Sequence, residues 1–216
     1  MIRSKRKFFS LLVLVFAIYR AESAIALEQP VFDLIDEIGD LQIRRYEPYI
    51  VARTLVEDSL SEAGNQGFKR LAGYIFSGNE DDQQIAMTAP VALKRLSDPE
   101  QVQSKQSQAV RAEKYWVTFS MPREYSIEAL PRPNDEQVEI VEVPEKYMAV
   151  VRYKGNWSEV RYLEHASKLL SLVDQSTTWL QRGEVIWARY NPPFVPGFMR
   201  TNEVAIEVVP VSLESK

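Results

Sequence analysis

The sequence predicts an α+β fold in which two pseudo-repeats form a distorted, mostly antiparallel β-barrel or curved sheet flanked by two long helices. From residue 31 onward the chain is rich in strand-like apolar runs, and two amphipathic helical segments interrupt them. The second half also echoes the first with a shift of 97 residues. Two similar units of strands and one helix are expected to join their sheets into one layer, with both helices packed outside it.

The first half is predicted to contain four strands and one helix. Its strands are expected at residues 31–38, 41–46, 49–56 and 85–93. Gly39-Asp40 predicts a hairpin turn between the first two strands. Ser59 and Glu62 fit a capping box, which starts a helix that ends near Gly78. Pro90 places the fourth strand at an edge or at a bulge.

A polar loop is expected at residues 97–113, followed by a strand at 115–121. The second half then repeats the order of strand, strand, long helix and strands, with strands expected at 138–143, 147–153, 184–190 and 203–209. Asn156 and Glu159 are predicted to cap a helix of about 25 residues. The apolar stripe of that helix is expected to be Val160, Leu163, Ala166, Leu170 and Val173. The shift aligns Leu41 with Val138, Ile43 with Ile140, Ala52 with Ala149, and Ser61-Glu62 with Ser158-Glu159.

Residues 1–26 have the pattern of a secretory signal peptide. A basic segment precedes a short apolar run, and Ala24-Ile25-Ala26 forms a cleavage site before Leu27. The apolar run is shorter than the roughly 20 residues that span a bilayer. We therefore expect a cleaved leader at 1–26, one domain at 27–216, export from the cytoplasm and no stable membrane span. An uncleaved N-terminal anchor is the alternative.

Composition excludes several classes of function. Residues 1–26 hold five of the 26 basic residues and one of the 30 acidic residues, so the remaining 190 carry a net charge of −8. This sign argues against nucleic acid as a partner. The absence of cysteine excludes disulfides, thiolate nucleophiles and iron–sulfur clusters, and a single histidine excludes a two-histidine metal site.

Three motifs occur in series along the predicted domain. They are residues 67–79 followed by Ile85-Ala86-Met87-Thr88-Ala89-Pro90-Val91, then Phe119-Ser120-Met121-Pro122, then Ala188-Arg189-Tyr190-Asn191-Pro192-Pro193 with Arg200 and Asn202-Glu203-Val204. In this order they resemble the SOUL haem-binding family over about residues 29–210. The resemblance implies two βα repeats with two long helices. It also implies that haem or a related porphyrin is held against the first helix and the loop before the last strand.

The resemblance directs attention to apolar residues on that helix and that loop. The expected ligand-binding residues are Phe68, Leu71, Ala72, Ile75, Tyr190, Phe194, Phe198 and Arg200. Arg200, with Lys69 or Arg70, is the expected partner of the porphyrin propionates. His165 lies off the predicted stripe and is expected to be solvated. We therefore expect no strong axial ligand and no protein-bound metal site.

Three functions remain open at this point. The first is a carrier, buffer or scavenger of a small-molecule tetrapyrrole. The second is an enzyme acting on a tetrapyrrole, for which Glu203, Tyr190 and Tyr74 are the plausible acids or bases. Because the sequence shows neither a paired carboxylate nor an activated nucleophile, we expect no enzyme. The third is a binding module for another planar or amphipathic ligand, since a fold does not fix its ligand.

Overall fold

The computed structural model describes residues 27–96 and 113–211, which form one curved, open antiparallel sheet and two helices. The strands are β1 Phe32–Ile38, β2 Leu41–Tyr46, β3 Tyr49–Asp58, β4 Val91–Arg95, β5 Glu113–Ser120, β6 Glu139–Val143, β7 Lys146–Lys154, β8 Trp179–Arg189 and β9 Thr201–Pro210. The helices are α1 Leu60–Ile75 and α2 Glu159–Asp174, and a 3₁₀ turn covers Gly197–Met199. The predicted fold class is confirmed, with the curved sheet rather than the closed barrel. The predicted leader at 1–26 lies outside the described residues.

The two halves of the chain exchange one strand each. The strand order is β1-β2-β7-β9-β8-β4-β5-β3-β6. Each half contains the same three-stranded block, β3-β5-β4 or β7-β9-β8, and the blocks join through β4 and β8. Strand β2 of the first half pairs with β7 of the second, and β6 of the second half pairs with β3 of the first, so each of these two strands lies outside its own block. The predicted repeat is therefore visible as a pseudo-twofold arrangement.

Serine residues cap both helices. The hydroxyl of Ser59 accepts a bond from the amide of Glu62, as predicted, whereas the amide of Ser59 donates to Asp58 rather than to Glu62. The cap of α2 is Ser158, which accepts from the amide of Arg161, so the prediction of Asn156 as the cap is wrong. Both helices have 16 residues, and the expected length for α2 was too great. Because the capping serines are residues 59 and 158, the helices align with a shift of 99 rather than 97.

The buried face of α2 is rotated from the predicted one. Ala166, Leu169 and Val173 are buried, whereas Val160 is 77% and Leu163 is 56% exposed. The expectation of a solvated His165 holds only in part, because its ring stacks on Tyr153 with 3.9 Å between centroids and its Nδ1 is buried, while the residue as a whole is partly exposed. Burial lowers the pKa of His165, although Glu164 acts in the opposite direction.

Both helices pack on the same face of the sheet. Leu93, Val117 and Trp187 lie opposite one another on β4, β5 and β8, and they belong to the core under α1. Strand β4 begins at Val91 rather than at residue 85, since Pro90 has no N–H to donate to a ladder. The segment before Pro90 therefore runs free of the sheet, between α1 and the β8–β9 connection.

Candidate functional site

An apolar cavity of about 400 Å³ lies between α1, the segment before β4 and the connection after β8. Most of its surface is aromatic, aliphatic or proline. The lining residues are Leu27, Gly64, Asn65, Phe68, Phe76, Met87, Thr88, Ala89, Val91, Trp157, Arg189, Tyr190, Asn191, Pro192 and Pro193. Its size and its apolar character are typical of sites for small organic ligands.

Helix α1 divides its faces between the core and the cavity. Phe68 lies toward the cavity, is 38% exposed, and packs its edge on Phe119 with 5.5 Å between centroids. Two helical glycines allow the helix to approach the sheet closely. A Cβ at Gly67 would lie 2.4 Å from Val117, and one at Gly64 would lie 2.8 Å from Nη1 of Arg189. The helix thus approaches the sheet closely enough to hold Phe68 at the cavity wall.

The segment that follows α1 forms a second wall. The side-chain amide of Asn79 donates to the carbonyls of Tyr74 and Gln83, which fixes the turn after the helix. Thr88 donates its hydroxyl to the carbonyl of Ser120 at 2.6 Å, which ties the segment to the end of β5. Met87 lies between these two anchors and contacts both the core and the cavity.

Residues at the beginning of the described chain close one side of the cavity. The carbonyl of Glu28 accepts a bond from the amide of Ala89, and its carboxylate accepts one from the amide of Arg123, both at 2.8 Å. Glu28 also forms a parallel bridge with Thr88. These bonds hold Leu27 against the cavity.

Arg189 is a buried cation at the cavity. Its side chain is on the last residue of β8, and the residue is only 8% exposed. The guanidinium lies 4.1 Å from the ring centroid of Trp187 and 5.1 Å from that of Trp157. Within the described parts of the chain no carboxylate forms an ion pair with it, and its Nε is buried without an acceptor. Burial lowers the pKa of Arg189 to about 10.

A second buried arginine lies on the other face of the sheet and has a full set of partners. Arg44 donates two bonds of 2.9 and 3.0 Å to the carboxylate of Glu203. Arg152 adds a bond of 2.7 Å, and the phenol of Tyr190 donates one of 2.6 Å. Burial raises the pKa of Glu203, but the bonds and charge of Arg44 outweigh it and the net pKa is lowered. Tyr190 therefore connects this network to the cavity wall.

The structure brings only part of the predicted ligand set together. Phe68 and Tyr190 line the cavity. Leu71 and Ile75 lie in the core instead, with 0% and 1% exposure, because the stripe that packs on the sheet cannot also face the cavity. Ala72 is buried one turn from both Phe68 and Phe76 and does not line the cavity.

The predicted loop residues are placed outside the cavity. Phe194 is 84% and Phe198 is 78% exposed. Arg200 donates to the carbonyls of Val195 and Pro193, so its role in this structure is to hold the loop. Of the other two basic candidates, Lys69 is exposed, and Arg70 bonds to the hydroxyl of Thr54 and pairs with Asp135.

Sequence reasoning missed several lining residues. Met87, Trp157 and Phe76 line the cavity but are not among the expected ligand-binding residues. Arg189 was quoted only as part of a motif. The alternation of the strand places Arg189 on the helix face of the sheet. The sequence alone does not distinguish a buried arginine at this position from an arginine at the surface, which is the commoner case.

Two of the groups considered for acid–base chemistry hold the structure together. Tyr74 donates its hydroxyl to the carbonyl of Pro131 at 2.9 Å, and Glu203 is bound by two arginines and a tyrosine. In the described ranges there is no group of three or more acidic or histidine side chains that could hold a metal ion. No helix in those ranges has the length and hydropathy needed to cross a bilayer.

Solved structures share this architecture. The C-terminal domain of EcmrR matches with a TM-score of 0.59 at 10% identity, over 84% of this chain and 99% of that domain. A hydrolase from Listeria innocua matches with a TM-score of 0.54 at 9% identity, over 88% of this chain and 97% of that one. At these identities the likeness shows the fold alone.

Sequence comparison identifies the family. Heme-binding protein 1 of Mus musculus is 25% identical over 150 residues, which are 69% of this chain and 74% of that protein. The family described as SOUL heme-binding protein matches residues 27–207, which include both helices and all the walls of the cavity. The chain therefore belongs to the SOUL heme-binding protein family.

Proposed function

We propose that the protein binds haem or a related tetrapyrrole in the cavity between α1 and the β8–β9 connection. The observation that carries this proposal is the apolar lining of that cavity, in a chain whose family is described by haem binding. Two of the three motifs that carry the family resemblance contribute walls of the cavity. Phe68 and Met87 stand in the first motif, and Tyr190 stands in the third.

The residues present fit a flat apolar ring. Phe68, Trp157 and the pair Pro192 and Pro193 offer broad apolar faces to the cavity. Burying apolar surface stabilises a complex by about 25 cal/mol per Å² before the costs of association are subtracted. Ring burial is therefore the main source of affinity in this proposal.

Axial ligation has a minor role in the proposal. His165 stacks on Tyr153 and does not line the cavity. Met87 and Tyr190 are the lining residues of types that bind haem iron in other proteins. The phenol of Tyr190 is already bonded to Glu203. Bound haem would supply the iron, and the chain would hold the ring chiefly through apolar contacts.

Titration with haemin tests the proposal. We expect a Soret shift that saturates at one ligand per chain. Phe68→Ala removes a cavity wall and should weaken binding by about tenfold, which corresponds to 1.4 kcal/mol. Phe198→Ala is the matched control, because it makes the same change at a residue that is 78% exposed and outside the cavity.

Two results would contradict the proposal. The absence of a Soret shift at micromolar haemin would exclude haem binding. Equal losses of affinity in Phe68→Ala and Phe198→Ala would place the ligand elsewhere, since only one of these residues lines the cavity.

The biological role that we propose is that of an exported carrier, buffer or scavenger. The support is the leader pattern of residues 1–26 with its cleavage site before Leu27. Mass spectrometry of the protein from its native host tests this directly. A mature chain that begins at Leu27 is expected, and an intact N-terminus would favour the anchor alternative.

A further inference from the structure

The described structure contains two nearly buried arginines, and their surroundings differ. Arg44 is 1% exposed and forms a bidentate pair with Glu203. Arg189 is 8% exposed and has no acidic partner among the residues that the structure describes. Burying a guanidinium without a counter-charge is costly, because the ion loses its hydration and gains only weaker contacts.

The contacts of Arg189 with protein do not replace a counter-charge. Its guanidinium packs on the rings of Trp187 and Trp157, and Nη1 lies against the helix backbone at Gly64. These contacts orient the guanidinium, but none of them is a hydrogen bond from one of its N–H groups to an acceptor. The indole N–H of Trp157, at the same cavity, is also buried without an acceptor. Two buried donors of cavity-lining residues thus lack acceptors.

The charge among the residues that line the cavity has a single sign. Arg189 is the only ionisable side chain other than Tyr190 among the residues that line it in the described structure. Arg200 lies nearby and is also cationic, with its guanidinium 4.2 Å from the ring centroid of Trp157. Such a site favours an anion and disfavours a hydrophobic cation.

We propose that Arg189 is the carboxylate-binding group of the cavity, and that the ligands are tetrapyrroles with a free carboxylate side chain. The inference rests on the function proposed above and names the ligand class of that site. A planar guanidinium matches a carboxylate through two parallel bonds, and the apolar walls then receive the ring. The carboxylate lies inside the cavity against Arg189, and Arg200 keeps its place in the loop.

Two rings that differ only in their carboxylates test the inference. Protoporphyrin IX carries two free propionates, its dimethyl ester carries none, and neither contains a metal that could add axial ligation. Quenching of tryptophan fluorescence reports binding of both. We expect the full-length protein to bind the diacid at least about tenfold more tightly than the ester, as for a charge-assisted pair.

Arg189→Met removes the charge and keeps an unbranched apolar side chain. It should weaken binding of the diacid by about tenfold or more and leave binding of the ester unchanged or tighter. Arg200→Met is the matched control, because it removes another arginine that stacks on Trp157. That control should not change the ratio between the two affinities. Should Arg189→Met fail to fold, Arg189→Lys keeps the charge but loses the planar fork, and the ratio should then be intermediate.

The outcomes separate this inference from the proposed function. Binding of both rings with equal affinity, or an equal effect of Arg189→Met on both, would overturn the role of Arg189 and leave the haem cavity standing. Failure of the unaltered protein to bind either ring would overturn the proposed function and this inference with it.

Discussion

Tyr190 donates a hydrogen bond of 2.6 Å to Oε2 of Glu203, and this bond links the cavity wall to a buried ion pair on the opposite face of the sheet. Arg44 and Arg152 also donate hydrogen bonds to the carboxylate of Glu203. The position of the Tyr190 ring therefore depends on charges that do not contact the cavity.

Tyr190→Phe keeps the ring and removes this bond. We expect the free energy of unfolding to fall by about 1.5–3 kcal/mol, which is typical for a hydrogen bond to a charged group. Urea denaturation measures it. Tyr147→Phe is the control, because no described residue bonds to the hydroxyl of Tyr147 and the change should cost little. Equal effects would show that the bond to Glu203 contributes nothing of its own.

Glu203→Gln tests the ion pair through its dependence on pH. The pKa of Glu203 in the folded protein lies below the usual value of 4.5, so its stabilising contribution is complete above that pH and is lost as pH falls through the folded value. At neutral pH the variant should lose about 3–5 kcal/mol, because Arg44 stays buried without its partner.

The stability difference between the natural protein and Glu203→Gln should shrink as the pH falls below 4.5. Urea denaturation at several pH values between neutrality and the acid limit measures it. Glu139→Gln serves as a surface control, since its ion pair with Arg53 is half exposed and should contribute at most about 1 kcal/mol. A difference independent of pH would contradict the assigned pKa direction.

Two glycines of α1 should respond to alanine with opposite signs. A Cβ at Gly67 would lie 2.4 to 2.8 Å from Val117, so Gly67→Ala should destabilise the protein by about 1–3 kcal/mol through overpacking. A Cβ at Gly73 meets nothing within 4 Å, so Gly73→Ala should stabilise it by up to about 1 kcal/mol. Thermal unfolding compares the two, and the same sign in both would show that the helix does not pack as described.

His165→Ala should leave the affinity for haemin and the Soret position nearly unchanged. The ring of His165 stacks on Tyr153 and does not line the cavity, so the change should reduce stability and spare binding. Absorbance titration and thermal unfolding measure the two effects separately. Loss of the haemin complex with an intact fold would identify His165 as an iron ligand and place the haem elsewhere.

The sequence was sufficient for the elements whose signal is local. The Gly39-Asp40 hairpin and the Ser59 cap of α1 follow from turn and capping chemistry. The face of α2 was wrong because Val160 and Leu163 are apolar yet exposed, and only packing against β7, β8 and β9 decides which stripe is buried.

The cavity was only partly predictable for the same reason. Phe68 and Tyr190 could be found because they stand in motifs of a recognisable family. Arg189 stands in a motif as well, but arginine in a sequence usually indicates a surface position. Its burial depends on Trp157 and Gly64, which are distant from it in the chain. Such a site becomes visible only when the elements are assembled.

The exchange of β2 and β6 between the two halves has a consequence for how the chain folds. Neither half can complete its sheet alone, because each would leave a strand edge open until the other arrives. We expect a single cooperative unfolding transition rather than two, and slow folding, since pairing of β2 with β7 must close a loop of about a hundred residues. The interlocked halves thus form one kinetic unit, despite their origin in a repeated pattern.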